Sequence, residues 1–151
     1  MSFESSNSAR SVQSSFFDLF DNLNEKTRKS IINSKFGVFR SVVYPNIDVE
    51  SYKVLYSDSG RSPTTVRDMV MAMILQGEEN LTVDALIMRL DTDIAFRYVL
   101  GTTGSCVDST ISRSNFFAFV ARVVDYESKT GINLVKETVK KLSLQVGREM
   151  G

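Results

Sequence analysis

Apolar residues recur along this chain at helical spacing rather than in strand alternation. Val12, Phe16, Phe17, Phe20 and Leu23 fall near an i, i+4, i+8 pattern, which predicts an amphipathic helix over residues 12–23. Lys26 to Lys35 carries Ile31 and Ile32 and predicts a second short helix that stops before Gly37. Val38, Phe39, Val42 and Val43 fit a helix or a strand equally well. Tyr44-Pro45-Asn46 then predicts a break, because a residue before proline is pushed away from helical backbone. Asp48 is placed to cap a short helix holding Val49, Tyr52 and Leu55.

The next stretch, Gly60 to Phe117, is the most informative. After the polar turn Ser57-Asp58-Ser59-Gly60, Val66, Met69, Val70, Met73 and Ile74 repeat at helical spacing, with Met71, Ala72 and Leu75 on the remaining sides. Apolar residues on all sides predict a central helix, with Thr65 as its N-cap and Asp68 completing a capping-box-like pair. Its methionines read as packing material. Asn80 is placed to end it. Thr82 caps the following helix, with Leu81 and Leu86 at staple positions and Val83, Leu86, Ile87 and Leu90 as the inward stripe. Asp91 or Thr92 opens a third helix that holds Ile94, Phe96, Tyr98, Val99 and Leu100 and ends at Gly101. Residues 101–107 read as a loop. Asp108 then caps a long helix to about Ser128, with Phe116, Phe117, Val120, Val123 and Val124 on one side. Gly131 breaks it. A last amphipathic helix turns Ile132, Val135, Val139, Leu142 and Val146 inward and Lys136, Lys140 and Lys141 outward.

Asn-Gly and Asp-Gly hairpin turns are missing, and no strand pair stands out. The expected fold is all-α: a multi-helix domain with a helix-turn-helix-like core and short connections. Residues 1–10 are serine-rich and polar and predict a disordered tail, leaving residues 11–151 as a single helical domain.

Composition removes several classes of chemistry. There is no histidine, which excludes most zinc sites and most general-base schemes. The single cysteine, Cys106, cannot form an internal disulfide and fits a reducing compartment. No apolar run approaches a membrane span, and the opening MSFESSNSAR lacks a signal peptide's apolar core, so a cytoplasmic protein is expected. Asp91 and Asp93 are the nearest acidic pair and read as helix caps. There is no phosphate-binding glycine loop. No cofactor, no metal and no self-contained catalytic site are therefore expected. The 18 basic and 18 acidic residues cancel, which argues against strong non-specific nucleic-acid binding. Their distribution is uneven: residues 61–108 hold four basic and seven acidic residues, and residues 109–151 hold seven and four.

The segment from Asp108 to Asn115 stands apart. Ser109, Thr110, Ser112 and Ser114 are mediocre helix formers clustered on one helix's opening turns. With exposed N–H donors and Arg113, such a turn can contact phosphates and base edges. Arg113 can pair with guanine and Asn115 with adenine. The alternative is plain N-terminal capping on a solvated helix face, and the residues alone leave both open.

These pieces together resemble a family. Tyr56 with Gly60-Arg61, the apolar helix Val66 to Gln76, Glu79-Asn80-Leu81-Thr82, then Leu86, Leu90 and Asp91, Phe96 to Leu100-Gly101, and finally Asp108, Thr110 and Arg113 follow one another in the order seen in the N-terminal domain of bacterial insertion-sequence transposases of the DDE type. The resemblance covers about residues 48–117. Gly60-Arg61-Ser62-Pro63 departs from the family's usual Gly-Arg-Pro start. The resemblance implies a helical domain that binds double-stranded DNA at the terminal inverted repeats of an insertion element, with catalysis in a separate domain not seen here. The helix from Asp108 is expected in the major groove, and Arg61, Lys136, Lys140 and Lys141 on phosphates. A non-catalytic interaction module, pairing with itself or with full-length transposase, is the alternative. Phe16, Phe17 and Phe20 offer either a dimer face or core packing.

Overall fold

The computed structural model describes residues 18–56, 63–104 and 111–150. The expectations for residues 1–17, for the turn 57–62 with Arg61, and for Cys106, Asp108, Ser109 and Thr110 lie outside the described residues. Within them the chain is helical, without a strand, and one isolated antiparallel bridge joins Asp18 to Gly104.

Helix α1 spans Glu25–Ile32 and is capped by Asn24, whose side chain accepts the Thr27 amide. Helix α2 spans Lys35–Val38 under a Ser34 cap. The backbone then winds on without a break, through a π turn at Phe39–Val43 and a 3-10 turn at Tyr44–Asn46. Two expectations fail in this region. Residues 18–22 form turns rather than the end of an amphipathic helix. Tyr44 keeps helical backbone (φ −55°, ψ −51°) although a proline follows it, and the chain leaves the helix only at Ile47. The second short helix does stop before Gly37, at Ile32, but Gly37 itself sits inside the separate turn of α2. A Cβ there would collide with the Ile32 carbonyl oxygen, so the close approach of α2 to the end of α1 admits only glycine.

Asp48 caps the 3-10 segment Val49–Leu55 as expected, and Tyr52 and Leu55 from it enter the core. Helix α3, Pro63–Glu79, begins earlier than expected. Thr65 is therefore not its cap; proline's fixed φ suits the first helical position. Val66, Met69, Val70, Met71, Ala72 and Leu75 are all buried, and α3 is the centre of the molecule. Asn80, at φ 53°, closes it.

Helix α4, Val83–Thr92, is capped by Thr82, which accepts the Ala85 amide, and buries Leu86 and Leu90. Helix α5, Ile94–Leu100, follows after one residue. Its cap is Asp93, whose carboxylate accepts the Ala95 and Phe96 amides while also pairing with Arg89, so α4 extends past Asp91 and Thr92 does not open α5. Gly101, in the left-handed region at φ 72°, ends α5. Phe96 packs against Phe36 of α2 at 5.9 Å. Phe20 stacks on Tyr98 at 4.4 Å and is buried, so this member of the phenylalanine cluster serves the core.

Helix α6, Arg113–Thr130, ends at Gly131 (φ 78°), and α7 spans Leu134–Met150. The inward face of α6 is Phe116, Phe119 and Val123, not the stripe through Phe117 and Val124: Phe119 is 2% exposed, whereas Phe117 is 44% and Val124 56% exposed. On α7, Val135, Thr138 and Leu142 face inward, while Ile132, just ahead of α7, and Val139 are exposed. The buried Tyr52 hydroxyl ties the 3-10 segment to α7 through Thr138 Oγ1 at 2.6 Å and the Leu134 carbonyl at 3.1 Å.

Candidate nucleic-acid interface

The start of α6 is built around Ser112. Its hydroxyl accepts the Asn115 amide at 3.1 Å. On either side of the cap, Ile111 and Phe116 are both buried in the core. Those are the two positions of a hydrophobic staple, which fixes the angle at which the chain enters a helix. The long helix therefore starts at Arg113 under a Ser112 cap, later than the start expected after Asp108. The staple around Ser112 was available in the sequence.

With Phe116 anchoring one side, Ser112, Arg113, Ser114 and Asn115 are exposed. Arg113 is not enclosed by neighbouring helices. Its Nε donates to Asp84 Oδ1 at 2.8 Å, and the two side chains are 63% and 76% exposed. Its guanidinium also lies over the Phe117 ring at 5.1 Å. Asp84 belongs to the first turn of α4, so this ion pair sets the N-terminal ends of α4 and α6 side by side. Sequence reading missed Asp84, since nothing local marks a partner 29 residues away.

Lys136, Lys140 and Lys141 are exposed on α7, as expected. None of them enters an ion pair among the described residues. Lys141 borders a cleft of about 510 Å³ together with Asp48, Glu137 and Gln145. The structure does not bring these lysines to Arg113. At 1.5 Å per residue, α6 carries the chain roughly 26 Å from Arg113 to Thr130, and Lys136 lies just past the turn at that far end. Arg113 and Lys136 thus lie near opposite ends of α6.

Other arginines are occupied in holding the fold. Arg97 donates to the carbonyls of Asp91, Thr102 and Gly104. Arg122 reaches the Leu55 carbonyl and covers Tyr56, and Arg89 covers Phe96 at 4.2 Å. Tyr44 donates to Asp68 Oδ1 at 2.6 Å. Burial first, and then the hydrogen bond to Asp68, push the Tyr44 hydroxyl up to about 12, so it keeps its proton. Among the described residues no group of histidine, cysteine or carboxylate side chains could hold a metal ion, and no helix is long and apolar enough to cross a membrane.

Residues 33–122, more than half of the chain, match the family described as Transposase domain (DUF772). No curated protein and no solved structure matches it.

Proposed function

The chain belongs to the DUF772 transposase domain family, and on that premise we propose that it is a transposase's DNA-binding module, reading the terminal inverted repeats of an insertion element through the first turns of α6. The observation that carries this reading is the solvent-facing set Ser112, Arg113, Ser114 and Asn115, held out from the protein by a helix whose other side is locked by Ile111 and Phe116. Arg113 can offer two donors to guanine and Asn115 can pair with adenine. Phe117, exposed one turn further on, suits contact with a thymine methyl. In this reading α4 lies across the duplex backbone while α6 enters the major groove, in the manner of a helix-turn-helix pair. The lysines of α7 supply further phosphate contacts. No cleavage or strand transfer is assigned to these residues.

Fluorescence anisotropy with a labelled inverted-repeat duplex tests this. The expected result is an affinity that falls as salt rises and exceeds that for an unrelated duplex of equal length at least ~10³-fold. Equal affinity for both duplexes would refute site-specific reading.

A second reading has its own support. The outward face of α6 carries Phe117 and Val124 in solvent, and the chain's net charge is zero. A non-catalytic module that pairs with another copy, or with full-length transposase, suits such a face. Light scattering of the protein alone, compared with the protein on DNA, separates the two: a salt-insensitive dimer without DNA affinity favours the interaction module.

A further inference from the structure

We propose that Arg40, Tyr44 and Arg67 form a phosphate clamp that grips the DNA backbone away from the first turn of α6. Arg40 projects from the π turn Phe39–Val43 and Arg67 from the start of α3. Their guanidinium carbons stand 5.5 and 5.7 Å from the centre of the same Tyr44 ring. Tyr44 donates to Asp68, which is 6% exposed. Two permanent cations therefore gather around one half-buried tyrosine ring.

Arg67 differs from the arginines that hold the fold. Among the described residues its side chain makes no hydrogen bond and no ion pair; its Nε is shut off from solvent, so a phosphate would be met by the terminal Nη groups. Arg40 is lightly held, by one long bond of 3.3 Å from Nη1 to the Val99 carbonyl. Gly101 leaves its guanidinium room, since a Cβ there would come within 3.2 Å of Nη1. Guanidinium groups pre-positioned on an aromatic face, with donors unspent, match the geometry of a phosphodiester.

The placement suits one duplex. From Arg67 to Glu79, α3 advances roughly 18 Å, and α4 begins just beyond, with Asp84 on its first turn paired to Arg113 of α6. A helical turn of DNA spans about 34 Å, so one duplex can reach both regions. The inference rests on the DNA-binding reading and adds residues that the sequence pattern did not nominate.

The test is a salt titration of inverted-repeat binding by the full chain, comparing the native protein with Arg40→Gln, Arg67→Gln and the double variant. Removing one phosphate interaction lowers the log–log salt slope by about 0.9. The double variant should lower the slope by about 1–2, and its preference for the repeat over an unrelated duplex should stay unchanged. Arg67→Lys, which keeps the charge and the stem, should keep the native slope whether or not the glutamine variants fold. A native slope in a folded double variant overturns the clamp and leaves the α6 reading standing. A slope that drops as far with lysine as with glutamine also overturns it. If the native protein binds neither duplex, both proposals fall.

Discussion

Replacing Tyr52 with phenylalanine removes one oxygen and nothing else from the contact between the 3-10 segment and α7. The ring is fully buried and lies 6.1 Å from Phe119. Its hydroxyl is within 2.6 Å of Thr138 Oγ1 and 3.1 Å of the Leu134 carbonyl. Thr138 itself reaches that carbonyl at 2.9 Å. Once the tyrosine hydroxyl is gone, the threonine can still donate to Leu134, so no buried donor is stranded. The cost is then that of a net hydrogen bond, about 1–1.5 kcal/mol, rather than that of an orphaned polar group. In a chain of this length that lowers the melting temperature by roughly 2–6 °C.

The same group gives a pH signature. Burial is the main cause that lifts the Tyr52 hydroxyl from 10 to about 12. Above pH 10 the unfolded chain ionises while the folded one keeps its proton, so the folded state binds more protons and stability falls as pH rises. The contribution is fully present below pH 10 and is lost as pH rises toward 12, amounting to roughly 3 kcal/mol for a shift of that size. Urea unfolding followed by circular dichroism at about pH 8, 10 and 11.5 checks both statements, because these values run from below the window in which the two states differ in bound protons to well inside it. Tyr52→Phe should start lower at the lowest pH and then lose less stability than the native chain at the highest. An unchanged midpoint at the lowest pH together with parallel losses at high pH would show that this hydroxyl does not join the segment to α7.

Other outcomes follow from single contacts. Gly37→Ala drives a methyl group onto the Ile32 carbonyl, backbone against backbone, and should cost more than ~3 kcal/mol in thermal unfolding; a melting temperature within about 2 °C of native, well under the shift such a cost implies, contradicts the packing of α2 on α1. Phe119→Ala should cost about 3–5 kcal/mol, whereas Phe117→Ala should cost less than ~1 kcal/mol, and the reverse order in urea unfolding would restore the face expected from sequence. Asp84→Asn removes an exposed ion pair worth about 0–1 kcal/mol, so stability should barely move; repeat-duplex affinity should rise several-fold as Arg113 loses its competing partner, and weaker binding would place Asp84 outside the interface.

Much of the helical order was legible because caps announce themselves locally. Thr82, Gly101 and Gly131 stand at the helix ends their side chains or backbone freedom suit, and Asn80 closes α3 in left-handed backbone. The errors arose where a tertiary contact outweighed a local signal. Gly37 reads as a breaker, yet its missing side chain lets α1 and α2 touch. Asp108 reads as the cap of the long helix, but Ser112 caps it, with the buried pair Ile111 and Phe116 on either side. Phe117 and Phe119 are equally apolar, and it is Phe119 that meets the Tyr52 ring and is buried. At the candidate interface, the exposure of Arg113 and Asn115 agrees with the sequence pattern, since serine-rich turns seldom enter cores. Asp84 and the grouping of Arg40 with Arg67 about Tyr44 were not legible. They depend on contacts between residues that the sequence holds far apart.

The most direct test of the account is the binding of Arg113→Ala to the inverted-repeat duplex and to an unrelated duplex, measured side by side at one salt concentration. The account predicts a loss of about 1–3 kcal/mol on the repeat, roughly ten- to more than a hundredfold, with a much smaller loss on the unrelated sequence, so that discrimination collapses. An equal loss on both duplexes would reduce Arg113 to a phosphate contact, and no loss on either would place the DNA elsewhere than on α6.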